Sequence, residues 1–207
     1  MPPLYHQRIQ TIKTILEQQQ DHFKTGLPIK DRIVSIAKNY LRPIVRGKET
    51  KIVEFGAKVN CVQIDSINFI EHLSFDAFNE GTRFEQSIFL VRKLTGKCTH
   101  MAGDQIYATN KNRTYCAIQN IKTNFVRKGK PGPLEQQRSQ MQSILSKERA
   151  TRLEGSFGTE KNHYGLSKIH ARTKATEILC NFFGIHTANA VDIGHRMTQS
   201  KKSKKSG

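Results

Sequence analysis

Acidic side chains are scarce in this chain. Its 207 residues include 17 Asp and Glu against 34 Lys and Arg, a formal net charge of +17 with neutral histidine. That imbalance says nothing of fold, but it makes the surface attractive to polyanions through steering and counterion release. Cysteine is sparse as well. Cys61, Cys98, Cys116 and Cys180 stand far apart with no C-x-x-C pair, which argues against a zinc ribbon or a disulfide framework and for reduced thiols. No apolar run approaches membrane-spanning length and the N-terminus lacks a signal-peptide core, so a soluble, cytoplasmic protein with no membrane partner is expected. Several common chemistries lack their motifs: there is no H-E-x-x-H, P-loop, G-x-S-x-G or nucleotide glycine fingerprint. His72, His100, His163, His170, His186 and His195 show no metal-ligand spacing and read as structural or phosphate-facing.

What is present is a mixed pattern. Tyr5, Ile9, Ile12 and Leu16 form one stripe of a helix over 4–23, a stripe that needs a partner. Strands are expected over 32–36, 52–64 and 67–75, the last two joined at Asp65-Ser66 as an antiparallel hairpin. A helix over 77–94 buries Phe84, Ile88 and Val91 and stops at Gly96. A short buried strand at 100–107, a helix at 110–120 and a strand at 121–126 follow. Residues 127–145 begin as a basic, proline- and glycine-rich linker. Helices are expected over 146–164 and 173–190, the second with Ala175, Ile178, Leu179, Phe182 and Phe183 as core. Residues 196–207 read as a basic disordered tail. The order of hairpin, helix, strand, helix, strand, helix suggests an α/β fold with a mixed sheet.

Two carboxylates stand out. Glu154 lies among basic, aromatic and glycine residues, and Lys161 follows seven positions later. Seven helical residues advance about 700° and rise about 10.5 Å, so both lie on one face but too far apart for an i, i+4 ion pair. The alternative is a solvated helix glutamate on a basic face. Asp104 sits where a short apolar strand gives way to a polar turn, the place where α/β sheets hold reactive groups. The alternative there is a turn aspartate capping the next helix. Together the two offer hard oxygen ligands for Mg²⁺ or Mn²⁺, the ions that serve phosphodiester chemistry.

Four ordered stretches resemble one family. They are "DRIVSIAKNYLRPIVRGK" with "EFGAKV" (31–59), "LSFDAFNEG" (73–81), "GDQIYATNKNR" (103–113) and "RLEGSFGTEKNHYGL" (152–166). With them the chain resembles the C-terminal catalytic part of a bacterial insertion-sequence transposase of the DDE type, over nearly its whole length except the tail. The resemblance implies a ribonuclease H-like mixed sheet flanked by helices across 31–195, with 1–30 as the end of a helical insertion. It implies DNA transposition by metal-dependent strand cleavage and strand transfer, on double-stranded DNA at transposon ends and target. A homodimer and a nucleoid-associated, cytoplasmic location come with the family. Asp104 and Glu154 become the second and third catalytic, metal-binding carboxylates. Lys161 becomes a contact to DNA, with His163, Lys168, Arg172, Arg42, Arg46 and Lys48 as further phosphate contacts.

Two departures qualify this. The tyrosine and arginine that often precede the glutamate by seven and four residues are Lys147 and Ala150 here, with Arg149 or Arg152 as substitutes for the arginine. The first catalytic aspartate of similar transposases lies on the first core strand, upstream of the matched region. A truncated copy lacking that strand, with weak metal binding and little or no cleavage, is therefore expected, Asp31 and Asp65 being the only substitutes. The alternatives are a non-catalytic basic DNA-binding protein and a ribonuclease H-like nuclease.

Overall fold

The structure, a computed structural model, describes residues 2–45 and 53–203, the last two by backbone alone. Arg46 and Lys48 lie outside the described residues. The chain is mixed α/β and divides into two compact units: residues 1–59, 73–78 and 170–179 form one, and residues 60–72, 79–169 and 180–207 the other. No helix among the described residues is long and apolar enough to cross a membrane.

The first unit opens with α1 (Pro3–Thr25), whose end is set by Gly26 at φ 67°, its N–H bonding the His22 carbonyl. The left-handed residue closes the last turn as a glycine does without a Cβ penalty. The expected strand at 32–36 does not form. The Ile33 N–H instead donates to Gln18 Oε1 of α1 at 3.1 Å, so a side chain occupies the place of a ladder partner. Strand β1 (Ile44–Val45) pairs antiparallel with β2 (Val53–Glu54). Gly56, at φ 126°, then interrupts the long strand expected over 52–64. The first turn of α6 (Lys174–Ser203) brings the buried Glu177 here, bonded by Lys38 Nζ and Tyr40 Oη at 2.9 Å each. Burial, with that bond and the Glu177 charge adding to it, pushes the Tyr40 phenol up to about 12.

The second unit is built on a hairpin whose strands, β3 (Lys58–Ile64) and β4 (Ile67–Ser74), reach it from the first. Asp65 and Ser66 both adopt positive φ, 47° and 63°, the primed-turn conformation that follows the twist of the strands. A 3₁₀ turn (Glu80–Arg83), α2 (Phe84–Thr95), β5 (His100–Met101), α3 (Asn110–Ile118) and β6 (Lys122–Thr123) follow in the expected order. The two short strands pair in parallel, His100 opposite Lys122. Phe84 and Ile88 are fully buried at the centre of the core, with Tyr107, Cys116, Ile121 and Phe125 around them. The rings of Tyr107, Tyr115 and Phe125 lie 5.8–6.3 Å from that of Phe84.

Among the described residues the single mixed sheet is not formed: the strands make three separate two-stranded ladders. Strands β5 and β6 are two residues long, and β3 meets their side of the unit through side chains, Tyr107 Oη donating to Asn60 Oδ1 at 2.6 Å. The linker ends early, because α4 (Glu135–Glu148) begins inside it. Its first-turn Glu135 is clasped by Arg138 and Arg127, which hold its carboxyl at about 2. The tail is helical as far as Ser203, and Arg196 pairs with Asp192 at 2.7 Å and Asp65 at 3.2 Å. The remaining tail residues lie outside those described. Nor is the α6 stripe core. Phe182 and Phe183 are 46% and 60% exposed, while Glu177, Asn181, Ile185 and Asn189 face inward. This helix is held by hydrogen-bonded polar groups on its buried side, a solution that periodicity of apolar residues does not register.

Candidate functional site

Asp104 stands three residues beyond the end of β5, at the carboxyl end of a strand in a parallel pair. It caps the 3₁₀ turn Gln105–Tyr107, its Oδ1 accepting the Gln105 N–H at 2.7 Å. Two contacts hold this turn. Asn124 bonds both the N–H and the carbonyl of Gly103, at 2.9 and 3.0 Å. Gly81 packs so closely on the Ile106 carbonyl that a Cβ there would collide with it. Tyr107 closes the turn inside the core, its phenol raised well above the ordinary value by burial. The capping alternative and the strand-end placement thus both hold, because Oδ2 remains for another partner.

That partner is Arg149. Its Nη2 lies 3.6 Å from Asp104 Oδ2 and its Nη1 3.2 Å from Glu154 Oε1, so one guanidinium spans both carboxylates. The acids are 63% and 58% exposed, whereas Arg149 is 23% exposed. Arg149 opens a π-helical turn (Arg149–Leu153) between α4 and α5 (Glu154–His163), in which the Glu154 N–H bonds the Arg149 carbonyl. A π turn holds one more residue than an α turn. Arg149, five residues before Glu154, therefore sits beside it as an arginine four residues before would in a regular helix. Arg152 instead bonds Glu148 at 2.6 Å.

Helix α5 is anchored from below by a buried polar cluster. Asn68 of β4, 1% exposed, donates from Nδ2 to Ser156 Oγ at 3.0 Å and Glu160 Oε1 at 2.6 Å, and accepts from Gln63 Nε2 at 2.9 Å. Its main-chain N–H and carbonyl are both taken by the carboxamide of Asn189 on α6, at 2.9 and 2.7 Å. Asn189 thereby acts as a one-residue strand against β4. Burial raises the Glu160 carboxyl, only partly opposed by the Asn68 bond, and burial with the Glu160 charge pushes the Cys61 thiol up to about 12. Sequence reasoning missed this cluster, since isolated Asn and Gln residues belong to no spacing pattern.

The other expected residues divide. Lys161 and His163 are exposed on the last turns of α5, and Lys168 is exposed beyond Gly165, whose φ of 72° ends the helix. Arg172 is exposed in the first unit. Arg42 is committed elsewhere, its Nη1 donating to the Asn39 and Leu41 carbonyls at 2.7 and 3.0 Å. Asp65 is paired with Arg196 and Arg152. Among the described residues no group of three His, Cys, Asp or Glu gathers, so neither substitute aspartate completes a three-carboxylate set. Asp104 and Glu154 suit a divalent ion in being exposed hard oxygens, and they already share one cation, the Arg149 guanidinium. Comparison with protein-family models, with curated proteins and with solved structures finds no match for this chain.

Proposed function

We infer that this chain is the catalytic part of a DDE-type transposase, acting on double-stranded DNA. The observation that carries the reading is the convergence of Asp104, at a strand end, and Glu154, on the helix after the next strand, upon one Arg149 guanidinium. The order of hairpin, helix, strand, helix, strand, helix supports it. The separate β3–β4 and β5–β6 ladders are what a ribonuclease H-like sheet without its central strand would leave. In this reading Asp104 and Glu154 hold Mg²⁺ or Mn²⁺, which would supply Lewis-acid stabilisation of a phosphate oxygen. Lys161, His163 and Lys168 stand along and beyond the same helix, where they position a phosphate backbone without reading bases. Arg149 keeps the two acids facing each other, and a divalent ion held by them would compete with its guanidinium. Two carboxylates alone hold the ion weakly, so little cleavage is expected.

A second reading has its own support. The guanidinium neutralises both acids, as in a structural ion-pair network, and a basic DNA-binding protein without catalysis would need no more. Mn²⁺ titration followed by electron paramagnetic resonance separates the two, alongside duplex DNA binding at several salt concentrations. The transposase reading expects weak Mn²⁺ binding that is lost in both Asp104→Ala and Glu154→Ala. It expects tighter Mn²⁺ binding in Arg149→Ala, where the competing cation is gone. No metal binding in any of these variants, with unchanged DNA affinity in all, would favour the second reading.

A further inference from the structure

Helix α1 is docked to its own unit by its polar side. Thr11 is buried and its Oγ1 accepts from Asn39 Nδ2 at 3.3 Å. Gln18 receives the Ile33 N–H and donates to the Asp31 carbonyl at 3.4 Å. The apolar side points away. Tyr5, Ile9, Ile12, Leu16 and Phe23 are 54%, 39%, 47%, 56% and 91% exposed. Their spacing alternates four and three residues, with Gln19 filling the one vacant step. At 100° per residue this seam spans about 60° of the helix. It is the narrow a/d stripe of a coiled coil, and not the broad apolar face of a helix lying on a membrane.

The flanks of the seam choose the partner. Arg8 borders it on one side, and Lys13 and His6 border it on the other, all exposed, with Lys24 further round. The acids of α1 stand further round, Glu17 beyond Lys13 and Asp21 on the opposite side. In a parallel pair of two copies, Arg8 of one helix would face Lys13 of the other, a like-charge contact repeated by symmetry. Such contacts at the flanking positions set partner choice by repulsion. We propose that the α1 seam is a docking site for an amphipathic helix of a partner protein, one with apolar a and d positions and acidic flanks. The helix is about 34 Å long, enough for three heptads of such a partner.

The test uses the full chain and three synthetic three-heptad peptides labelled with fluorescein. One has Leu at a and d with Glu at e and g; the second has Lys at e and g; the third scrambles the first, keeping its charge but not its seam. Fluorescence anisotropy should give binding of the first peptide alone, weakened by salt because the flanking charges are exposed. The exposed-site variants Ile12→Glu and Leu16→Glu, checked for unchanged circular dichroism, should weaken it by at least about tenfold, or ~1.4 kcal/mol. Absence of binding to the Glu peptide overturns the proposal, as does equal binding of the scrambled peptide or retention by Leu16→Glu. So does self-association in sedimentation that Leu16→Glu abolishes, which makes the occupant a second copy. Binding to anionic vesicles lost in the same variant makes it a membrane surface, and equally overturns it.

Discussion

Asn189→Ala should be the most damaging single change in the second unit outside its apolar core. The Asn189 carboxamide satisfies the N–H and the carbonyl of Asn68, and all four groups are buried. Truncation leaves one donor and one acceptor without partners, each costing about 1–3 kcal/mol. The two are adjacent and relax together, so we expect a combined loss of about 2–4 kcal/mol, a large share of the roughly 5–15 kcal/mol that holds a typical domain. Urea unfolding followed by circular dichroism would read this as a lower midpoint at unchanged slope. Asn189→Asp sharpens the test. An ionised carboxylate keeps the bond from the Asn68 N–H but faces the Asn68 carbonyl with like charge, whereas a protonated one donates to it. The deficit of Asn189→Asp should therefore be large at neutral pH and shrink as pH falls, while that of Asn189→Ala should not follow the same course. A loss in Asn189→Ala below about 0.5 kcal/mol would mean that the β4 backbone is readily served by water, and would refute the reasoning.

Two further changes test how the carboxylate site is held. The Glu160 carboxyl is raised by burial, so its contribution to folding is complete below the ordinary glutamate value and is lost as pH rises through the raised one. Glu160→Gln keeps an acceptor for Asn68 Nδ2 and removes that loss, so its stability in urea should decline less than the parent's across that window; a steeper decline would count against it. Gly81→Ala places a methyl against the Ile106 carbonyl and 3.1 Å from Asn79 Oδ1. The turn that carries Asp104 must then shift, at an expected cost of about 1–3 kcal/mol in urea unfolding, and a neutral effect would show that the turn is free to move.

The elements of the second unit were legible because its core obeys simple periodicity. Phe84, Ile88 and Val91 recur on one helix face, and that face is buried. Asp65-Ser66 marks the hairpin because short polar residues favour turns, and both adopt a left-handed backbone there. Asp104 and Glu154 were legible as candidates from their positions, and the structure brings both to one arginine. Which arginine was not legible. Four residues before Glu154 stands Ala150, and the π turn brings Arg149, five residues before, beside Glu154. Nothing in the residues 149–153 announces a wider turn.

Helix α6 shows why a stripe expected to be core was misread, and α1, whose stripe was expected to need a partner, shows the same physics. A hydrophobic stripe identifies which residues share a side of a helix, but not what lies on that side. In α1 the stripe Tyr5, Ile9, Ile12 and Leu16 is exposed, and Thr11 and Gln18 face the unit. In α6 Phe182 and Phe183 are exposed, and Asn181 and Asn189 are buried. Burying polar groups is costly unless each is hydrogen-bonded, and Thr11, Gln18 and Asn189 are. Apolar area in water is costly without compensation, so a helix that turns it outward is less stable than one that buries it, by about 25 cal/mol for each Å². Side-chain hydrogen bonds of about 1 kcal/mol each do not make up that difference. Covering the α1 seam would recover that difference, and beside Arg8 and Lys13 a cover of opposite charge fits best.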